Sequence, residues 1–310
     1  MANTPKLHHY VPRSYLRRFT HDGKHVFVLF RKNDRRFTSP KSVNIDKLCA
    51  ETDFYATFDN NGRKSIVVEQ ELASFESAVA NTVFSQIQPS VIFPYQEGGI
   101  LLNVKQKIAI VDAIAVQIVR GKSTRNYGLS VIGDIYKKEL DALEEKVADD
   151  PSLSPDLEYL KKNESRLKTN ALAEGAIIEL LKNGQESKLR QNLQNRACFV
   201  LINTTNLNFL TSDEPVLITR IGSKTKTIFD YPLGRSDSVV YYPLDSRHMI
   251  ALYAKEHCQT TNNITGNIVL LGENDKEFIQ YLNYIQSIQS NRCLIAEEKE
   301  GFTEVTDYYP

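Results

Sequence analysis

Four of the chain's six histidines, His8, His9, His21 and His25, fall within its first 25 residues. Imidazole is the side chain best suited to proton transfer near neutral pH and to binding transition metals, so chemistry is sought first at this end. The segment reads His8-His9-Tyr10-Val11-Pro12-Arg13-Ser14-Tyr15-Leu16-Arg17-Arg18-Phe19. Adjacent side chains on an extended segment point to opposite faces, so one histidine of the pair is expected to face a site and the other to turn away. Pro12 opens a turn, and Tyr15, Leu16 and Phe19 are spaced to pin one helical turn to a core. A packing anchor with one hydrogen-bonded histidine accounts for the same residues.

Two later groups have chemical potential. Gln117 and Arg120, three residues apart, share one helix face with Ile110 and Ala113, and an amide and a cation on an apolar stripe are costly unless partnered. Two readings follow: a structural ion pair with Asp213 or Glu214, or an anion site completed by Arg125, since guanidinium matches phosphate geometry. Asp213 lies in a turn after a short strand; it completes a metal or acid–base site with His9, or it is ordinary turn chemistry. His248 and His257 are isolated and read as packing or surface residues.

The elements that must position these residues follow from periodicity. His25–Arg31 reads as a strand, with Asn33-Asp34 a turn and Arg35–Thr38 its short partner; Asp53–Phe58 reads as a third strand, closed by a turn at Asp59–Gly62. Apolar spacing predicts helices from Ile66 to about Gln88, from Asn103 (an N-cap) to about Arg120, over roughly Leu129–Val147, and from Ser154-Pro155 towards Lys182. The Asn103–Arg120 helix is apolar nearly all round and is expected at the centre of the core. Short strands follow at Ala197–Ile202, Phe209–Thr211, Val216–Thr219, Val239–Tyr242 and Met249–Tyr253, then a helix at Asp275–Ser290 and a strand at Cys293–Ala296. Helices grouped in the middle and strands at both ends give an α+β fold: a short N-terminal β segment (1–62), a central helical bundle (63–196), and C-terminal antiparallel strands closing with a helix and strand (197–310). The N-terminal strands are too few to bury a core alone, so 1–310 is read as one domain.

Bulk properties narrow the function less. Among 310 residues, 38 Lys and Arg balance 38 Asp and Glu, so net charge points to neither nucleic acid nor membrane. Charge is uneven along the chain, however. Residues 1–40 hold nine basic side chains against Asp22 and Asp34, and residues 139–158 hold eight acidic ones against Lys146. Solvated faces explain both clusters; an anion meeting the basic one is the sharper reading. Four cysteines at least 35 residues apart offer no zinc or redox motif, and no apolar run spans a bilayer. A reducing cytoplasm is the expected location. No Gly-rich phosphate loop, Gly-x-Ser-x-Gly elbow or His-Glu-x-x-His is present.

The opening His-His-Tyr-Val-Pro-x-x-Tyr-Leu-Arg-x-Phe resembles the signature of the bacterial family catalogued as domain of unknown function 4238. Gln117-x-x-Arg120 followed by Arg125, Phe209-Leu-Thr-Ser-Asp213-Glu-Pro-Val216, Tyr242-Pro-Leu244, Asn283 and Asn291 resemble it too. The resemblance implies a bacterial protein with kinship to mobile-element or phage-conflict proteins, and it implies no reaction. More loosely, His8-His9-Tyr10-Val11-Pro12 is similar to the (Asp/His)-His-(Ile/Val)-x-Pro opening of HNH nucleases, and Asn44-Ile45-Asp46-Lys47-Leu48-Cys49 to a stretch that follows in many of them. That similarity implies that His9 activates water and His8 holds a divalent metal, magnesium or manganese. The chain departs from the nuclease pattern in having no histidine on the following helix.

The expected site therefore joins His9 and Asp213 as catalytic residues, His8 as metal ligand, and Arg13, Arg17, Gln117, Arg120 and Arg125 as contacts to a phosphate-containing substrate such as nucleic acid or a nucleotide. Metal-assisted phosphodiester hydrolysis is the leading expectation. A binding module for a nucleotide or phage component using the same pocket is the first alternative, and a structural or interaction protein the second. Sequence leaves the oligomeric state open.

Overall fold

The five strands predicted between 197 and 253 are apolar almost throughout, a pattern that requires cover on both faces. The computed structural model describes residues 7–33, 36–84, 97, 99, 101–181, 187–221, 233–258, 265–303 and 305, and it supplies that cover. In chain order the elements are β1 (Leu7–His9), α1 (Arg13–Leu16), β2 (His25–Asn33), β3 (Arg36–Phe37), β4 (Lys41–Asn44), β5 (Ala50–Thr52), β6 (Thr57–Phe58), β7 (Lys64–Ser65), α2 (Val67–Val79), α3 (Val104–Arg120), α4 (Lys122–Asp149), α5 (Ser154–Leu181) and α6 (Lys188–Gln194). They continue with β8 (Ala197–Asn203), β9 (Thr211–Ser212), β10 (Leu217–Arg220), β11 (Ser238–Pro243), β12 (His248–Tyr253), β13 (Thr265–Leu271), α7 (Lys276–Gln289) and β14 (Cys293–Ala296). The fold is α+β.

The main sheet has the order β10-β11-β12-β8-β13. Successive side chains of β8 enter different cores. Val200 and Ile202 join Ile110, Val111 and Ile114 of α3, whereas Leu201 joins Ile279, Leu282 and Ile285 of α7. The sheet is thus a middle layer between two helical layers. Its pairing is antiparallel except for β13, which runs parallel to β8 and was not foreseen.

A second sheet, β3-β2-β14-β9 with β4 also on β2, inserts the C-terminal strand between an N-terminal strand and β9. The amino-terminal segment is thereby held by chain some 200 residues and more away, and Tyr15 Oη shares a 2.7 Å hydrogen bond with Thr211 of β9.

Several boundaries differ from expectation. Of the expected strand Asp53–Phe58 only Thr57–Phe58 forms one, as β6: Asp53 has φ +56° and turns the chain between β5 and β6. The helix after Ile66 keeps α geometry to Val79 and closes with a π turn over Ala80–Phe84; its expected continuation to Gln88 lies outside the described residues, as do Asp34 in the expected turn and the end of α5 near Lys182. The third helix starts seven residues earlier than expected, directly after Gly121. Asn103 caps α3 with a full capping box involving Gln106, as its position suggests. The helix is less enclosed than expected, for Val104 and Ile108 are exposed. No described helix is long and apolar enough to cross a membrane.

Candidate active site

β1 fixes the two histidines. It pairs antiparallel with β5, with His8 opposite Glu51 and His9 opposite Ala50, and strand alternation sends the rings to opposite sides. His8 turns inward and is 0% exposed. Its ring stacks on Tyr55, and its Nδ1 accepts the Tyr55 backbone N–H at 3.1 Å. His9 turns outward into a cleft of ≈ 670 Å³ bounded by Leu7, Arg13, Asp46, Ile66, Glu69, Gln70, Ala73 and Glu76.

The wall opposite His9 is α2, on which Glu69, Ala73 and Glu76 repeat at i, i+4 and i+7 and so share one face. His9 Nε2 and Glu69 Oε2 are each shielded from solvent with no hydrogen-bond partner among the described residues. Burial, followed by the cation of Arg13, lowers the His9 pKa from its ordinary 6.5, while the Ile45 carbonyl and Glu76 pull the other way. The imidazole is therefore neutral at pH 7. Burial pushes Glu69 up, against the pull of Arg120.

Arg120 and Gln117 do not line this cleft. They project from α3 onto the back of the histidine strand and bind two successive backbone carbonyls. The Arg120 guanidinium donates to the His9 carbonyl, and Gln117 Nε2 donates to the Tyr10 carbonyl at 3.0 Å. Arg120 also pairs with Glu76 at 2.5 Å, and its own carbonyl accepts the Tyr55 hydroxyl at 2.7 Å. The expected ion-pair partner, Asp213 or Glu214, is replaced by Glu76 on the neighbouring helix α2. One cation thus ties the back of His9 to the helix that faces its ring.

Asp213 is likewise placed away from this cleft. Its carboxylate is 0% exposed and accepts the backbone N–H groups of Asn291, Arg292 and Cys293 at 3.0, 2.7 and 3.2 Å. It holds the turn entering β14, far along the chain from His9 and outside the cleft lining. Its neighbour Glu214 accepts the Ser123 backbone N–H at 2.7 Å at the start of α4, and burial raises its pKa from 4.5 to about 7.

Of the other arginines, Arg13 alone lines the cleft. It pairs with Asp46 at 3.2 Å, with both side chains more than half exposed. Arg17 is exposed and absent from the lining. Arg125 lies over the Phe54 ring, 4.5 Å from its centroid, and donates to the Phe54 carbonyl. It borders a separate apolar cavity between α3, α4 and α5.

The donor set does not fit a metal. Among the described residues no three His, Cys, Asp or Glu side chains converge to hold an ion, and His8, the expected ligand, has Nδ1 occupied and its ring in the core. What the arrangement can do is move protons: a neutral imidazole and a carboxyl whose hold on its proton burial strengthens face one concavity, with an arginine at its rim.

Sequence reasoning missed Glu69, Glu76 and Asp46. The seven-residue spacing of the two glutamates on an amphipathic helix was visible, but such spacing on a surface helix reads as solvation.

The other blocks that resemble the family serve the framework. Asn283 Oδ1 accepts the Leu210 N–H at 2.9 Å, and its Nδ2 donates to the Asn208 carbonyl at 2.8 Å. Arg18 of the opening motif donates to the Leu244 carbonyl and pairs with buried Asp245, both at 2.7 Å. Comparison with known proteins agrees with a resemblance over most of the chain: a family model described as a protein of unknown function (DUF4238) matches residues 7–300. No curated protein and no solved structure gives a significant match.

Proposed function

We propose, from the premise that the chain belongs to the DUF4238 family of proteins of unknown function, that the cleft at His9 is the reaction centre of a hydrolase acting on a phosphate-containing substrate. The carrying observation is His9, a residue of the wall of a ligand-sized cleft whose imidazole is neutral at pH 7 and whose Nε2 has no hydrogen-bond partner among the described residues. A buried polar atom left unpaired costs stability, and a bound substrate or attacking water satisfies it. In this reading His9 is the general base, taking the proton from the nucleophile. Glu69 accepts from the same nucleophile through its unpaired oxygen. Arg13 supplies the anion contact, because its exposed pair with Asp46 is worth at most about 1 kcal/mol and is readily exchanged for a phosphate. Arg120 and Gln117 are positioning residues that hold the His9 backbone.

Phosphodiesters, as in nucleic acid or a nucleotide, are the first substrates to try. The reading includes a cytoplasmic location, supported by four cysteines that are all free thiols. The second reading, a non-catalytic module binding a nucleotide or phage component, is favoured by one observation: among the described residues Arg13 is the only cation in the lining, which suits recognition of one phosphate better than stabilisation of a highly charged transition state.

The test is hydrolysis of bis(4-nitrophenyl) phosphate by the full chain, with EDTA and with added magnesium or manganese. His9→Asn is expected to lose on the order of 100-fold or more in kcat while melting within a degree or so of wild type. No turnover of this ester or of a nucleotide panel, coupled with a ligand-induced rise in melting temperature, decides for the binding module. Turnover unchanged in His9→Asn removes the proposal.

A further inference from the structure

Helices faced with glycine and alanine leave space that larger side chains would fill. Toward the turn that joins them, α4 and α5 touch: Tyr136 Oη donates to the Leu160 carbonyl and Lys161 pairs with Glu144, both at 2.6 Å. At their other ends the facing residues include Gly128 on α4 and Ala171, Gly175 and Ala176 on α5, and these help to bound a cavity of ≈ 250 Å³. The rest of its wall is mostly carbon, supplied by Tyr55, Val119, Ile132 and Leu172. It reaches the surface beside Tyr127, which is 73% exposed. A dry apolar cavity of about 150 Å³ takes a benzene ring, so this one takes a body of roughly ten non-hydrogen atoms by proportion.

Charge selects the occupant. Two arginines line the cavity, and Arg120 is already neutralised by Glu76. Arg125 is partly buried, and among the described residues no carboxylate pairs with it. Burial lowers its pKa against the pull of Tyr55 and Glu51, and Glu51 is itself held by Lys122 and Arg292. A cation in apolar surroundings is costly until an anion meets it. Arg125 Nη1 donates to the Phe54 carbonyl, whereas Nε and Nη2 hold no hydrogen bond among the described residues. Those two N–H groups are parallel, the geometry that grips a carboxylate bidentately. One guanidinium balances one negative charge, whereas a phosphate monoester, at about −1.5 to −2, would carry excess charge into apolar walls.

We propose that this cavity binds a small apolar monocarboxylate, its carboxylate on Arg125 and its body between α4, α5 and Tyr55. Among the described residues the cavity shares no lining residue with the His9 cleft, and the inference stands apart from the hydrolase reading.

The probe is octanoate, an apolar carboxylate of that size, titrated into the full chain by isothermal calorimetry at pH 7. A dissociation constant on the order of 0.1 mM is expected, within reach of so small a ligand. 1-Octanol, which keeps the body and lacks the charge, should bind roughly tenfold more weakly. Arg125→Gln is expected to bring octanoate down to the level of 1-octanol and to leave 1-octanol unchanged. A Cβ at Gly175 meets nothing within 4 Å, and leucine suits a helix better than glycine, so Gly175→Leu should fold. By occupying the cavity it should weaken both probes about tenfold or more. No heat from octanoate up to about 5 mM, 1-octanol binding as tightly as octanoate, wild-type octanoate affinity in Arg125→Gln, or unchanged binding of both probes in Gly175→Leu would overturn the proposal.

Discussion

Replacing Arg120 with methionine tests whether this arginine is a strut or a substrate contact. Methionine keeps most of the apolar stem and removes the guanidinium, which leaves two groups without their donor: the His9 carbonyl and the Glu76 carboxylate. The Arg120 side chain is 1% exposed and that of Glu76 25%, so water replaces the lost bonds only in part. Removing one partner from a buried ion pair costs about 3–5 kcal/mol because the other charge stays behind. For a chain of this length 1 kcal/mol shifts the melting temperature by about 2 °C, so Arg120→Met should melt roughly 6–10 °C lower. The assay is differential scanning fluorimetry at pH 7, confirmed by urea unfolding. Adding Glu76→Gln should recover part of the loss, since the stranded charge is then neutral; Arg17→Ala, on the surface, should stay within about 0.5 kcal/mol of wild type. A melting temperature within a degree of wild type in Arg120→Met, with binding or turnover lost, would refute the strut and return Arg120 to the substrate.

Two predictions concern the framework. Glu214 keeps its proton in the fold up to about pH 7, whereas its ordinary value is 4.5. The native state thus binds more protons between these values, and stability is full below about pH 4.5 and falls as pH rises through 7. The difference is up to about 3 kcal/mol; Glu214→Gln should flatten it and be the more stable protein at pH 8, as urea midpoints at pH 5 and 8 would reveal. Asp213→Ala removes the acceptor of three backbone N–H groups at the entry to β14 and should cost at least about 3 kcal/mol. A turn without structural weight would lose less than 1 kcal/mol, read from the same unfolding curves.

The sequence made local order legible and long-range order mostly not. β2 and the strands between 197 and 253 are written in β-branched and aromatic residues, and Asn103 announces α3 by its own side-chain chemistry. The start of α4 was hidden because Lys-Ser-Thr-Arg-Asn-Tyr-Gly carries no apolar repeat; its stability comes from α5 and from the Glu214 carboxylate on Ser123. β13 was hidden by Gly266, at φ +96°, in a stretch that pairs parallel to β8. At the site, alternation along β1 correctly separates the two histidines, but which of them lines the cleft depends on β5 and Tyr55. The need of Gln117 and Arg120 for partners was plain from an apolar stripe. That their acceptors are backbone carbonyls more than 100 residues earlier could not be, since every residue type offers the same carbonyl.

The pH dependence of kcat/KM for bis(4-nitrophenyl) phosphate probes His9 most directly, because that parameter reports the free enzyme's essential base. The neutral, partly buried imidazole predicts an acid limb with its midpoint below the ordinary histidine value of 6.5, and that limb should vanish with the activity in His9→Asn. An acid limb centred at or above 6.5, or one that persists in His9→Asn, contradicts the assignment of His9 as the base.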